Sequence, residues 1–416
     1  MSSDTLIKLY RLVTGQCPQS VEELAKSGSA RRYFRLGGVV TLIGTVGKNI
    51  AENNAFLYLA SHFKKQGIAI PEVIAVSDDK SAYLQQDLGG QSLFDAIMCD
   101  RAAAWPIVVE TIRTLPSIQF RGAEGLDWTK CYPQPEFDSR TVLWDLNYFK
   151  YCFLKTTGVE FDESALEVDF QQMALDLTGQ NECFMYRDFQ SRNVMIHNET
   201  PWFIDFQGGR RGPCHYDLAS FLWQSRAGFT DVERNELIDV YLAVASNYTK
   251  IVKTEFCRTL DLFVLFRTMQ VLGAYGYRGY FERKQHFIDS IPGALANLQS
   301  LLNRNIAAPY PYLNQILQQM TKAMTEEKTI EKLTVKVCSF SYKKGLPTDN
   351  SGNGGGYVFD CRAVHNPGRY DQYKQLSGLD KPVIDFLESN GEIAVFLDHC
   401  YALVDASVER YIERGF

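Results

Sequence analysis

The sequence has 416 residues, of which 45% are hydrophobic, so it is long enough for two or three domains with buried cores. A net charge of −6 and a pI of about 5.7 argue against DNA or RNA binding by a basic whole-molecule surface, but they allow a local basic patch. No apolar run reaches the roughly 18 residues that a membrane span needs, and the N-terminus lacks a signal-peptide pattern. The cysteines form no CxxC pair and no zinc-ligand cluster. We therefore expect a cytoplasmic protein with reduced thiols and no membrane segment.

Residues 1–88 form the first predicted region, which is rich in strands. It contains a polar turn at Ser27–Ala30. Glu52–Phe63 has its apolar residues on one helical face, and Gly67 lies just past the end of this predicted helix. Alternating or β-branched runs bounded by turn residues predict strands at Arg31–Leu36, Val39–Val46, Glu72–Ser77 and Ser81–Gln86.

Residues 89–324 form a second, mainly helical region. It includes a short β-like insert, Phe184–Phe206, and an apolar helix, Leu260–Tyr280. Glycines 273, 276 and 279 in the second half of that helix argue against its running unbroken to Tyr280.

A charged stretch, residues 325–332, is the predicted linker to a third region, residues 333–416. In this region strands are predicted at Leu333–Phe340 and Tyr357–Cys361, on either side of a glycine-rich loop, Asn350–Gly356. Two helices, Val383–Glu388 and Ile393–Glu413, are predicted to close the chain.

The most informative motif is RDFQSRNVMI followed by WFIDFQ. It contains Asp188, then Asn193 five residues later, and then Asp205 at the end of a second apolar strand. Either aspartate alone fits an ordinary turn beside a hairpin. Together the three side chains fit phosphoryl transfer, in which one carboxylate deprotonates an acceptor hydroxyl while an amide oxygen and a second carboxylate hold Mg²⁺.

These motifs, with Gly212-Pro213 and Tyr216–Ala219, resemble the aminoglycoside phosphotransferase/choline kinase family over about residues 20–310. The RRYFR turn and IDFQ are similar to the anomeric amino-sugar kinases that phosphorylate N-acetylmuramate and N-acetylglucosamine. The resemblance implies an α+β, protein-kinase-like fold with a small β-rich N-lobe and a helical C-lobe. It also implies ATP and Mg²⁺ as cofactors, Asp188 as the catalytic base, and Asn193 and Asp205 as metal ligands.

The same resemblance implies a nucleotide site in residues 1–88. Glu52 matches the helix glutamate that pairs with a strand lysine, but Val39–Val46 contains no lysine, so Lys48, Arg31 or Arg32 would have to take its place. The predicted nucleotide-binding residues are Ser29, Arg31, Arg32, Lys48, Glu52, Gln86, Asp87 and Leu88.

The acceptor side is less constrained by motif. Arg192, Arg210 and Arg211 suit an anionic sugar or are solvated loop residues. Asp217 either anchors the catalytic loop or caps the next helix. We also predict it as a substrate-binding residue. Tyr277 and Arg278 either line the acceptor pocket or belong to a helix end.

Residues 333–416 resemble the C-terminal domain of the RNase adapter RapZ, through SFSYKKGLP, VFDCR and LSGLDKPV. The resemblance implies a small α/β domain linked to RNA and to amino-sugar phosphate sensing, here without the final strand and glycine-rich loop of that family. Lys343, Lys344, Arg362 and His365 form either a basic patch for a ligand or RNA, or a solvated loop face.

Two functions follow from these motifs. The first is an ATP- and Mg²⁺-dependent kinase for a small-molecule hydroxyl, with an amino sugar as acceptor. The second is a non-catalytic adapter that senses a nucleotide or metabolite and binds RNA or protein through residues 333–416. The absent strand lysine favours the adapter, whereas the acidic pI disfavours RNA binding.

Overall fold

The structure is a computed structural model that describes residues 3–24, 31–179, 183–326, 333–347, 355–389 and 391–413. It divides into two compact units, Met1–Met324 and Thr325–Phe416. Within the described part of the chain, no helix combines the length and apolar character that crossing a bilayer requires.

The first elements of the first unit are α1 (Ser3–Thr14), β1 (Ser20–Glu23), β2 (Arg32–Gly37), β3 (Leu42–Val46), α2 (Ile50–Lys65), β4 (Val73–Val76) and β5 (Ala82–Gln86). The strands form an antiparallel five-stranded sheet in the order β1-β2-β3-β5-β4. The two strand pairs and the helix predicted for this region are confirmed.

The two faces of β2 have different neighbours. Because side chains alternate along a strand, Phe34 and Leu36 pack together in a core with α1, whereas Tyr33 and Arg31 lie on the opposite face, beside Glu52 of α2. This alternation decides which arginine of the RRYFR turn faces the helix.

Helix α2 has defined ends. The side chain of Asn49 caps it by accepting a hydrogen bond from the N–H of Glu52, and Gly67, with φ of +71°, follows its last residues. Its buried face presents Phe56, Leu59 and Phe63 to the main core.

Helices dominate the rest of the first unit and, apart from α10, share one continuous apolar core with α2. They are α3 (Leu93–Cys99), α4 (Arg101–Gln119), α5 (Ser139–Cys152), α6 (Glu163–Leu177), α7 (His215–Leu222), α8 (Asp231–Ala245), α9 (Lys253–Tyr275), α10 (Gln285–Ile288), α11 (Ile291–Asn303) and α12 (Pro311–Glu326).

The predicted β-like insert, Phe184–Phe206, is confirmed, but the strands extend beyond it, so that four short strands lie between α6 and α7. They are β6 (Cys183–Met185), β7 (Val194–His197), β8 (Thr200–Phe203) and β9 (Arg210–Gly212). Two antiparallel pairs, β7 with β8 and β6 with β9, bring the ends of these strands together in the first unit.

The α9 region ends as the glycines suggested. The α-helix stops at Tyr275 and a π-helical segment, Gly276–Phe281, continues the chain. A methyl group on Gly276 would lie 2.1 Å from the backbone oxygen of Cys152, because the backbones of this segment and of α5 are in direct contact.

The second unit contains the two predicted helices, α13 (Lys381–Ser389) and α14 (Glu392–Glu413). The two predicted strands, Leu333–Phe340 and Tyr357–Cys361, are wrong for the described residues, where these segments are irregular. A strand needs a hydrogen-bonding neighbour and a buried face, whereas Val337 is 92% exposed. Of the predicted linker, residues 325 and 326 extend α12, and residues 327–332 lie outside the described residues, as does most of Asn350–Gly356.

We expect Gly276→Ala to destabilise the first unit by about 1–3 kcal/mol, since the added methyl group must push against a backbone carbonyl that cannot rotate away. Chemical denaturation of the full chain measures this. Gly90→Ala is the matched control, because no atom lies within 4 Å of its added methyl group. Equal stability of the two variants would contradict the tight contact between α5 and the π-helical segment.

Candidate active site

The loop that follows β6, Tyr186–Asn193, is held by hydrogen bonds to Asp217. Both oxygens of this carboxylate accept backbone hydrogen bonds, from Tyr186 N–H at 2.8 Å and Arg187 N–H at 2.9 Å, and Gln119 donates a third at 2.9 Å. Burial raises the pKa of Asp217 to about 7. Asp217 is 0% exposed, so it anchors the loop, and its assignment as a substrate-binding residue is wrong because no ligand can reach it.

Asp188, Asn193 and Asp205 come together at the end of this loop. Asn193 donates a hydrogen bond of 2.8 Å to the carbonyl of Asp188, and its amide nitrogen lies 3.5 Å from Oδ2 of Asp205. Ile204 N–H donates to the carbonyl of Asn193 at 3.0 Å, which fixes the residue before Asp205 beside Asn193. The Asp188 side chain is exposed at this junction.

The loop and the Asp205 segment are also joined through Tyr186. Its buried hydroxyl donates to the carbonyl of Ile204, directly before Asp205. Arg187 and Asp205 have φ values of +74° and +67°, which are costly for residues with a side chain and cluster at functional sites.

Phe206 connects Asp205 to α2. Its ring stacks on Phe56 at 5.1 Å and meets Phe63 edge-on at 5.4 Å. Since Glu52 lies one turn before Phe56 on the same helix, this contact holds Glu52 on the side of the site that faces β2.

The donor set fits a magnesium ion. The side-chain nitrogen of Asn193 donates to the Asp188 carbonyl, and the side-chain oxygen of Asn193 accepts no hydrogen bond from the described residues. The Asp205 carboxylate accepts a hydrogen bond of 2.7 Å from Gln207 and still has lone pairs that could bind a cation. Burial and the nearby Asp188 carboxylate raise the pKa of Asp205, a cost that a bound cation would offset. In the described part of the chain no cluster of three or more His, Cys, Asp or Glu side chains occurs, and Mg²⁺ needs only one or two protein ligands.

Of the candidate cations, Arg31 is the one that meets Glu52. Its Nε lies 3.3 Å from Oε1 of Glu52, its guanidinium lies over the ring of Phe56, and the residue is only 4% exposed. Arg32 lies on the other face of β2 and forms an exposed ion pair with Glu23. Lys48 is exposed in the turn before α2, and Ser29 lies outside the described residues.

Of the other predicted nucleotide-binding residues, Gln86 ends β5, and Asp87 and Leu88 follow it. The backbone N–H of Gln86 donates to the carbonyl of Glu72, and Nε of Arg35 donates to the carboxylate of Asp87 at 2.7 Å. The backbone N–H groups of Asp87 and Leu88 have no hydrogen-bond acceptor among the described residues. They are therefore the groups that this segment offers to a ligand.

A cleft of about 300 Å³ opens beside Asp188. Its lining comprises Glu52, Tyr132, Pro133, Thr141, Trp144, Asp145, Arg187, Asp188, Gln207, Gly208 and Arg210. Of the predicted acceptor residues, only Arg210 contributes to this lining.

The other predicted acceptor residues lie elsewhere. Arg192 is exposed and donates to Gln190, and Arg211 is half-buried, with its backbone N–H bonded to the carbonyl of Pro135. Tyr277 contacts Tyr148, one helical turn along α5 from the cleft, and Arg278 forms an ion pair with Glu282.

Sequence reasoning missed several residues that line the cleft. Trp144 and Asp145 lie on α5, far along the chain from the RDFQSRN motif and without a motif of their own. Arg187 and Gln207 were within the quoted motifs, next to Asp188 and two residues after Asp205, and their position was a usable signal.

In the second unit, the predicted basic patch is partly neutralised. Arg362 is bonded to Asp360 through Nε at 2.9 Å and lies over the ring of Tyr342. His365 shares a hydrogen bond with the hydroxyl of Tyr370, Lys343 is exposed, and the side chain of Lys344 lies outside the described ones.

Comparison with known proteins bears on both units. Residues 333–416 match the RapZ C-terminal domain. A 69-residue stretch, 17% of this chain, is 41% identical to a nucleotide-binding protein of Albidiferax ferrireducens and covers 21% of it.

The first unit has relatives of its own. Over 255 residues the chain is 25% identical to an N-acetylmuramate/N-acetylglucosamine kinase of Neisseria meningitidis serogroup B, covering 57% of this chain and 72% of that protein. The crystal structure of choline kinase from Cryptosporidium parvum Iowa II superposes with a TM-score of 0.51 at 13% identity, covering 76% of this chain and all of that one, and confirms the protein-kinase-like fold. Residues 20–251, more than half of the chain, match the phosphotransferase enzyme family, and the chain therefore belongs to that family and is a phosphotransferase.

Proposed function

We propose that this protein transfers the γ-phosphoryl group of ATP to a hydroxyl group of an amino sugar, with Mg²⁺ as cofactor. The observation that carries the proposal is the meeting of Asp188, Asn193 and Asp205 at one side of the cleft that Trp144 and Arg210 line. The similarity to an N-acetylmuramate/N-acetylglucosamine kinase supports an amino sugar as the acceptor.

In the transfer step, the acceptor oxygen forms a bond to the γ-phosphorus as the bond from that phosphorus to the β–γ bridging oxygen breaks. The proton of the hydroxyl passes to the carboxylate of Asp188, and ADP leaves with the electron pair of the broken bond. Asp188 suits this role because its side chain is exposed at the cleft while its backbone is held by Asn193.

The carbonyl oxygen of Asn193 and the carboxylate of Asp205 would hold Mg²⁺, which supplies positive charge against the phosphate oxygens. Gln207 and Asn193 orient the Asp205 carboxylate through its two oxygens. Tyr186 and the Phe206 ring keep the Asp205 backbone in its strained conformation.

Arg31 takes the part of the strand lysine in this proposal. It forms the ion pair with Glu52, and its charge partly opposes the rise in the pKa of Asp205 that burial and Asp188 cause. A guanidinium can bind phosphate oxygens in a bidentate manner, so an arginine at this position is chemically sufficient. The free N–H groups of Asp87 and Leu88 would bind the adenine edge.

The adapter function remains a second candidate, because residues 333–416 match the RapZ C-terminal domain. Under that hypothesis, the second unit binds RNA or protein and the first unit binds a nucleotide or metabolite without turnover. Phosphorylation of a sugar separates the two functions.

We expect the protein to phosphorylate at least one member of a panel of amino sugars with ATP and Mg²⁺, and Asp188→Asn to lower kcat by at least roughly a hundredfold through loss of the base. A coupled assay for ADP release, with product detection by mass spectrometry, measures this. Asp231→Asn, an 82% exposed side chain on α8, is the control and should retain full activity. Absence of turnover with every sugar, or full activity of the Asp188 variant, would favour the adapter.

We expect Arg31→Ala to lower kcat/KM for ATP by roughly tenfold to a hundredfold, since a charge-assisted contact to phosphate is lost, while KM for the sugar changes little. Arg31→Lys should recover part of the loss. Arg32→Ala removes the neighbouring cation on the other face of β2 and should have the smaller effect. A larger effect from Arg32 than from Arg31 would show that Arg31 does not replace the strand lysine.

A further inference from the structure

Two arginines, Arg187 and Arg210, line the cleft, and among the described residues only Arg187 forms an ion pair. Nη2 of Arg187 lies 3.3 Å from both oxygens of Asp145, which also accepts a hydrogen bond from Gln270. Arg210 lines the same cleft but forms no ion pair with any of the described residues.

The position of Arg210 is fixed. Its Nε and Nη2 donate to the carbonyl of Gly208 at 3.2 and 3.1 Å, and β9 holds its backbone against β6. Gly209 packs directly on the ring of Phe184, where a methyl group would lie 2.0 Å from Cζ, so the turn before Arg210 tolerates only glycine. The remaining nitrogen, Nη1, makes no hydrogen bond within the described part of the chain.

A buried guanidinium without a counter-ion is costly even when it is hydrogen-bonded, because no ion pair offsets its desolvation. Arg210 is 2% exposed. Burial and the neighbouring Arg187 lower the pKa of Arg210 to about 10, so it still carries its proton at neutral pH. The carboxylates that line the cleft do not neutralise Arg210. Asp145 is paired with Arg187 and Glu52 with Arg31. Under the proposed function, Asp188 must remain available to the acceptor hydroxyl.

We propose that Arg210 binds a carboxylate carried by the acceptor, so that the acceptor is an acidic amino sugar in preference to a neutral one. The inference rests on the proposed function for the identity of the cleft as the acceptor site. Nη1 of Arg210, on the lining of the cleft, is the donor available to that carboxylate.

The test compares equilibrium binding of N-acetylmuramate with that of its methyl ester, which removes the charge and leaves the rest of the sugar in place. Isothermal titration of the full wild-type chain should give roughly tenfold to hundredfold tighter binding of the acid, the range expected for a charge-assisted contact. Equal affinity for acid and ester overturns the proposal without requiring any variant to fold.

Arg210→Gln should abolish the difference between acid and ester, and Arg210→Lys should restore part of it. Arg113→Gln, which removes an exposed cation paired with Glu110 on α4, is the matched control and should keep the wild-type ratio. ADP affinity should be unchanged in Arg210→Gln; a tenfold loss of ADP affinity would assign Arg210 to the nucleotide phosphates and overturn the proposal.

Phosphoryl transfer is measured separately with N-acetylmuramate and N-acetylglucosamine. Selective binding of the acid without turnover would retain this inference and reject the kinase function. Turnover of both sugars with equal kcat/KM would retain the kinase function and reject the inference.

Discussion

The carboxylate of Asp217 is the constraint on which the conformation of the loop Tyr186–Asn193 depends. It accepts hydrogen bonds from the backbone N–H groups of the two residues before Asp188. Because Asp217 is fully buried, water cannot compete for these two donors. Since Arg187 has a left-handed φ, the loop has a conformation that it would not keep unaided. Tyr241, which donates to the Gln119 amide, extends this buried network into α8 and ties the loop to the helical core.

A second set of contacts joins the loop to the sheet. Tyr186 bonds to the carbonyl before Asp205, Phe206 stacks on Phe56, and Phe56 stacks in turn on Tyr83 of β5. Displacement of α2 would therefore move both Glu52 and Asp205. The proposed nucleotide-binding residue Glu52 and the proposed metal ligand Asp205 are therefore positioned by one aromatic stack, Tyr83–Phe56–Phe206, although they come from distant segments of the chain.

The sequence predicted the parts of the site that lie within one motif. Asp188 and Asn193 lie in one short loop, and the β7–β8 hairpin separates Asn193 from Asp205, so their meeting follows from local geometry. Choosing between Arg31 and Arg32 required the phase of β2, which depends on where α1 packs. Trp144 and Asp145 were missed because only tertiary packing brings α5 to the cleft, and the strands of the second unit were wrong because an alternating pattern does not supply a pairing partner.

Under the proposed function, the arrangement of charge lets the site work without the strand lysine. Thr45 of β3 pairs with Tyr33 of β2, and Arg31, directly before β2, lies on the same face of the sheet as Tyr33. A cation at Arg31 in place of one on β3 still lies beside Glu52, because what the phosphates require is the position of the charge and not its place in the sequence. Arg31 acts on Asp205, and Arg210 lines the cleft beside Asp188, so the nucleotide and the acceptor would each meet a cation while the reacting hydroxyl faces the Asp188 carboxylate.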